Sequence, residues 1–125
     1  MKQFVMDSAV ILNNFNFSFS DNEIYFTTNE ILDEIIDFRS KQLVEIGLKQ
    51  GKIKIKEPSK KSLFLVKKAA KELNVFHKLS PADFSVLALT LEMKLPLLSD
   101  DYQIHKVCLK LELDFEPVFR EKIDV

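Results

Sequence analysis

Two short apolar runs in this 125-residue chain each stop at acid: Phe4-Val5-Met6 ends at Asp7, and Leu97-Leu98 runs through Ser99 into Asp100 and Asp101. Open α/β sheets build their sites at the carboxyl ends of strands, so carboxylates just past an apolar strand stand where chemistry is done. Two more acids hold comparable positions. Glu34 borders the apolar arc of a helical segment, and Asp83 falls in the first turn of an apolar helix. If the strands ending at Met6 and Leu98 are neighbours, Asp7 and Asp101 approach each other. Carboxylates gathered there repel one another unless a cation neutralises them. Donors that are all oxygen, with no His or Cys, favour Mg²⁺ or Mn²⁺. Such an ion can turn water into a nucleophile and stabilise charge on a phosphoryl oxygen.

The same residues have an ordinary reading. Asp7, Asp100 and Asp101 suit helix N-caps, each contributing about 1 kcal/mol. Asp83 suits the third position of a capping box. Glu34 suits a solvated helix face. Taken singly, each acid fits that reading better. What argues the other way is coincidence: several acidic caps fall at one end of one sheet, where Ser or Thr would serve. Spacing leaves the alternatives open.

These acids need elements to position them. Lys2 to Met6 reads as a strand, Ala9 to Leu12 as a helical turn, and Asn13 to Asn22 as a loop rich in Asn, Ser and Asp. Phe15, Phe17 and Phe19 alternate with polar residues there, as a short extended piece or a lid. Ile24 to Thr27 is β-rich. Thr28 or Asn29 can cap the next helix, whose Ile31, Leu32, Ile35, Ile36 and Phe38 share one arc at 100° per residue. Gly51 marks a turn. Lys52 to Lys56 alternates, with Ile53 and Ile55 on one face, as an edge strand guarded by lysines. Pro58-Ser59 opens a helix through about Leu73. Ser80-Pro81-Ala82-Asp83 combines an N-cap, a first-position proline and a capping-box acid, and starts a helix apolar on nearly all sides. Leu97-Leu98 is a strand, Tyr102 to Leu111 a helix, and Phe115 to Val118 a last strand. Strand and helix alternate, which predicts a parallel sheet covered on both faces.

Net charge is −1, but it divides unevenly: residues 49–78 hold ten lysines and two glutamates, while the remainder is acidic. A basic segment beside an acidic centre suggests an anionic partner; solvated helix faces are the plain alternative. No apolar run is long enough for a transmembrane helix, and Asp7 falls too early for a signal peptide. The single cysteine, Cys108, excludes an internal disulfide framework and a Cys-based zinc site, and reads as a small buried apolar residue. A cytoplasmic protein is expected. His77 reads as a surface residue. His105 lies four residues after Asp101 and could face the acids, although hard cations prefer oxygen.

Four pieces in this order resemble the PIN-domain nucleases. They are Met6-Asp7-Ser8-Ala9, Thr27-Thr28-Asn29-Glu30-Ile31-Leu32-Asp33-Glu34-Ile35, Leu79-Ser80-Pro81-Ala82-Asp83 with Val86-Leu87-Ala88-Leu89, and Leu97-Leu98-Ser99-Asp100-Asp101-Tyr102. Within that family they are most similar to the Nob-type branch, which trims precursors of small-subunit ribosomal RNA. The resemblance implies a three-layer α/β/α sandwich whose central parallel five-stranded sheet has the order 3-2-1-4-5. It also implies an endoribonuclease dependent on Mg²⁺ or Mn²⁺. Asp7, Glu34, Asp83 and Asp101 match the family's catalytic and metal-binding acids, with Asp100 as an auxiliary acid and Ser8 and Ser99 as supporting hydroxyls. The resemblance selects Glu34 over Asp33 and Glu30.

Nob-type members carry a zinc ribbon after this domain. Here a single nuclease domain over residues 1–125 is expected, without a ribbon. Gln103-Ile104-His105-Lys106-Val107 also departs from the branch's Gln-Asn pattern. The expected partner is RNA, either precursor ribosomal RNA or the small ribosomal subunit, with Lys52, Lys54, Lys56, Lys60 and Lys61 as its phosphate contacts. A homodimer is a further expectation. The alternatives are a toxin ribonuclease of the VapC kind and a scaffold that binds RNA or protein without cutting. A phosphorylated receiver domain needs an aspartate ending its third strand, and Lys54-Ile55-Lys56-Glu57-Pro58 supplies none.

Overall fold

Alternating apolar positions decide which strands bury both faces. In β1 (Lys2–Met6), Phe4, Val5 and Met6 are all buried, as a central strand of a parallel sheet requires. The computed structural model describes residues 1–12 and 19–118. Its other strands are β2 (Glu23–Thr27), β3 (Ile53–Ile55), β4 (Leu97–Leu98) and β5 (Phe115–Glu116). All neighbours pair in parallel, in the order β3-β2-β1-β4-β5.

The helices are α1 (Ala9–Leu12), α2 (Asn29–Asp33), α3 (Phe38–Lys49), α4 (Lys60–Glu72), α5 (Pro81–Met93) and α6 (Tyr102–Lys110), with a 3₁₀ turn at Phe76–Lys78. Successive residues of a strand point to opposite faces. Val5 and Leu97 accordingly pack with Val66, Leu87 and Ile104 from α4, α5 and α6. Phe4, Met6 and Leu98 pack with Val10, Ile11 and Val44 from α1 and α3. The result is a three-layer sandwich. α5 is its most buried helix, with Val86, Leu87, Ala88 and Leu89 fully covered. Cys108 lies in the same core, where burial pushes its thiol up to about 12. Among the described residues no helix is long and apolar enough to cross a membrane.

Three expectations need correction. The arc from Ile31 to Phe38 does not belong to one helix. α2 stops at Asp33, and Asp37 opens α3 by accepting from the Ser40 N–H at 3.0 Å. Ile31 and Ile35 are buried, whereas Ile36 and Phe38 are 78% and 76% exposed. A new N-cap four residues after the end of α2 resets the helical phase, which periodicity read across the break cannot detect. Secondly, Ile53 is buried but Ile55 is 43% exposed, because β3 is an edge strand that runs past its cover. Thirdly, the last strand is only Phe115–Glu116, followed by Pro117, which has no N–H to donate. Of the two caps left open before α2, Thr28 is the one used. The alternating phenylalanines are only partly described: Phe19 packs edge-on against Tyr25, with ring centroids 6.2 Å apart, while Phe15 and Phe17 lie outside the described residues.

Candidate active site

The register of β1 on β4, Val5 opposite Leu97 and Met6 opposite Leu98, carries Asp7 and Ser99 to matching places just beyond the sheet. The Asp7 N–H extends the ladder by donating to the Leu98 carbonyl at 3.1 Å. Both carboxylate oxygens are then held: Ser99 Oγ donates to Oδ2 at 2.9 Å, and the Ser8 N–H donates to Oδ1 at 2.8 Å. Asp7 is only 7% exposed. Burial pushes its carboxyl up to about 6 against those two hydrogen bonds, and the nearby Asp83 and Glu34 carboxylates push the same way.

The early end of α2 is what places Glu34. Thr28 Oγ1 accepts from the Ile31 N–H at 3.2 Å to start the helix, and Glu34 is the C-cap residue that ends it. Ser8 Oγ donates to Glu34 Oε1 at 3.3 Å, so the residue after Asp7 ties the two acids together. Glu34 is exposed, yet its carboxyl is raised by partial desolvation and by Asp83, against the Ser8 bond. Asp83 is fixed from the opposite side by the capping box. The Ser80 N–H donates to Asp83 Oδ2 at 2.9 Å, and the Asp83 N–H donates to Ser80 Oγ at 3.1 Å. Its carboxyl is raised too, mainly by burial and further by Asp101.

Asp101 is the N-cap of α6, with Oδ1 accepting from the N–H groups of Gln103 and Ile104 at 2.8 and 3.2 Å. Its own N–H donates to Ser99 Oγ at 3.2 Å, so Ser99 links Asp101 to Asp7. Capping and a role in the site are therefore compatible, because the cap hydrogen bonds hold the side chain in one orientation. Asp7 sits at the floor, Asp83 is half-buried, and Glu34 and Asp101 form an exposed rim. Asp100, also exposed, has its Oδ1 accepting from the Val118 N–H at 2.8 Å.

The donor set is all oxygen and mutually repulsive, which suits a hard divalent cation. Among the described residues, however, no group of three or more Asp, Glu, His or Cys side chains lies close enough together to hold a metal ion as they stand. An open carboxylate set of this kind fits a cation that keeps several of its waters, not one that demands a full protein shell. His105 does not join the acids. Its Nε2 bonds to the Ser99 carbonyl, and its ring stacks on Phe115 with centroids 4.3 Å apart, so it braces the turn that carries Ser99.

Sequence reasoning passed over one layer of support. Thr27 Oγ1 donates to the Met6 carbonyl at 2.9 Å, locking β2 to the residue before Asp7. Thr28 Oγ1 lies 2.7 Å from Ser85 Oγ, which in turn donates to the Ala82 carbonyl, joining the heads of α2 and α5. Ser85 left a signal in the sequence, as a hydroxyl inside an otherwise apolar run. Of the five lysines expected to contact phosphate, Lys54, Lys56, Lys60 and Lys61 are exposed. Among the described residues Lys52 alone of the five is ion-paired, 3.7 Å from Asp21.

Residues 4–93 match a family described as the PIN domain of ribonuclease, a span that holds Asp7, Glu34 and Asp83 but stops short of Asp101. The chain is 40% identical over 116 residues to endoribonuclease Nob1 of Pyrococcus abyssi, covering 93% of this chain and 68% of that protein. It is 34% identical over 128 residues to endoribonuclease Nob1 of Methanocaldococcus jannaschii, covering 98% of this chain and 62% of that protein. The 20S-pre-rRNA D-site endonuclease NOB1 of Saccharomyces cerevisiae is 32% identical over 82 residues, which is 66% of this chain and 18% of the yeast protein.

Proposed function

The chain belongs to the PIN-domain ribonuclease family, and from that premise we propose that it is an endoribonuclease acting on precursors of small-subunit ribosomal RNA, with Mg²⁺ or Mn²⁺ as its cofactor. The observation that supports this reading is a buried carboxylate, Asp7, at the carboxyl end of β1, its carboxyl held near 6 by burial and, to a smaller extent, by the neighbouring Asp83 and Glu34 carboxylates. Such a cost persists in a fold when a function needs the charges together. Asp7, Glu34, Asp83 and Asp101 would hold the cation. When bound, a hard divalent cation acidifies water and withdraws charge from a phosphoryl oxygen.

The protein's own part is to bind and orient. Ser8 and Ser99 keep the Asp7 and Glu34 oxygens aimed at one place, and the buried β1–β4 floor admits water only from the open side. Water adds to phosphorus, the P–O3′ bond breaks, and the 3′ oxygen takes up a proton, leaving a 5′-phosphate and a 3′-hydroxyl. Protons released from water are received within the carboxylate set, in which Asp83 and Glu34 sit above the ordinary range. The exposed lysines after β3 supply counter-charge for the RNA backbone.

The test is cleavage of RNA by the purified protein in Mn²⁺ compared with Asp7→Asn. A loss of at least about 100-fold is expected. Equal activity in the two proteins would remove Asp7 from the site.

A further inference from the structure

A second feature lies on the other side of the same helix end. A cavity of about 390 Å³ opens beside the first turn of α5, lined by Glu30, Lys67, Phe76, Pro81, Phe84 and Ser85 with leucines beneath. That volume suits one small organic group. Phe84, 5% exposed, forms the floor, and Phe76 meets it with ring centroids 5.1 Å apart. Lys67 Nζ lies 5.8 Å over the Phe84 ring and Lys71 Nζ lies 5.0 Å over the Phe76 ring. Among the described residues neither lysine has a carboxylate partner.

An apolar side chain from a protein partner would fill such a cavity but leave both cations, each seated over a ring, without an anionic partner. A nucleotide uses both, since its base has a flat apolar face and its phosphates are anionic. Ser85 Oγ is already committed to the Ala82 carbonyl and to Thr28, which leaves Glu30 as the acceptor in the wall. Glu30 faces Glu57, and burial and then that neighbour hold its carboxyl above the ordinary range. A hydrogen-bond donor arriving from the ligand would relieve the pair.

We propose that this cavity receives a single base of the RNA, one bearing an exocyclic amino group, close to the nucleotide whose phosphate lies at Asp7 and Asp83. Pro81 and Phe84 belong to the same turn of α5 as Asp83, so one rigid element sets the spacing between the held base and the cut. The inference rests on the ribonuclease reading for its ligand but not for its test.

Binding of labelled RNA octamers in EDTA, where no cleavage is expected, tests it. One abasic residue is placed at each position in turn. Loss of affinity of about tenfold is expected at one position, the scale of a lost base–aromatic stack. Phe76→Ala should cost intact RNA a similar factor and cost the octamer abasic at that position nothing further, while Phe76→Tyr retains affinity. Uridine at that position should bind more weakly than cytidine, and Glu30→Gln should narrow that gap. Additive losses from Phe76→Ala and the abasic residue, or the same loss at every position, would overturn the proposal. So would absence of octamer binding. If Phe76→Ala does not fold, Phe76→Leu, which keeps the apolar bulk but not the aromatic face, substitutes, with the same non-additivity required. Normal Asp7-dependent cleavage with additive losses would reject the base site and keep the nuclease. Non-additive losses without cleavage in Mn²⁺ would do the reverse.

Discussion

Asp7 shows at the scale of one residue what the site costs. Its carboxyl is held near 6, against an ordinary 3.8, so the folded protein binds this proton more tightly than the unfolded chain does. The stability associated with that proton is complete below about pH 4 and is lost as pH rises through about 6. At pH 8 the metal-free protein carries a penalty of up to about 3 kcal/mol at this one position. Asp7→Asn cannot ionise, so it should melt higher than the parent at pH 8, with the difference disappearing near pH 4. Saturating Mg²⁺ or Mn²⁺ should raise the melting temperature of the parent at pH 8 and leave Asp7→Asn nearly unchanged. Thermal melts across pH, with and without cation, measure both. A parent that ignores the cation at pH 8 would argue against Asp7 as a ligand. The burial behind this shift was not visible in the sequence, where Asp7 taken singly reads better as a cap.

At the scale of the element, capping sets the direction of each acid. The Ser80–Asp83 box was legible from Ser-Pro-Ala-Asp before an apolar run, because four consecutive residues specify it. Ser80→Ala should lower stability by about 1 kcal/mol by removing the Oγ that accepts from the Asp83 N–H, which leaves the backbone N–H of residue 80 as the only half of the box still holding Asp83 Oδ2. The expected signature is a modest fall in melting temperature with kcat lowered more than KM for RNA, and Ser80→Thr should restore both. A change in stability alone would reduce the box to a structural role. The break between α2 and α3 was not legible in the same way. Asp37 is one of several acids in that stretch, and only the packing of Ile35 against Val44 and Ile53 distinguishes a new helix start from a continuing one.

At the scale of the whole molecule, charge is divided between the acidic end of the sheet and the lysine-rich span that includes β3 and α4. RNA lying across both should bind with strong salt dependence. For about four phosphate contacts on a single strand, the slope of log K against log salt is expected near about −3. Joint replacement of the exposed Lys60 and Lys61 by Glu should flatten that slope and weaken binding without moving the cleavage position. An unchanged slope would show that these lysines only solvate α4. Under the proposed function the same division would let an acidic site accept a polyanion, with β3 and α4 holding the backbone while the acids face one phosphate.

From the sequence alone came the alternation of strand and helix, the buried α5, the two acid-ended strands and, through its resemblance, the sheet order. Each of these rests on local patterns of a few residues, where apolar period and cap chemistry act without reference to distant parts of the chain. Tertiary structure decided the rest. It set Ser99, not Asp101, directly opposite Asp7, brought the Val118 N–H to Asp100, turned His105 to its brace on Ser99, and exposed Ile36 and Phe38. Those outcomes depend on register between strands and on desolvation by residues up to 92 positions apart, and neither quantity exists until the chain has folded.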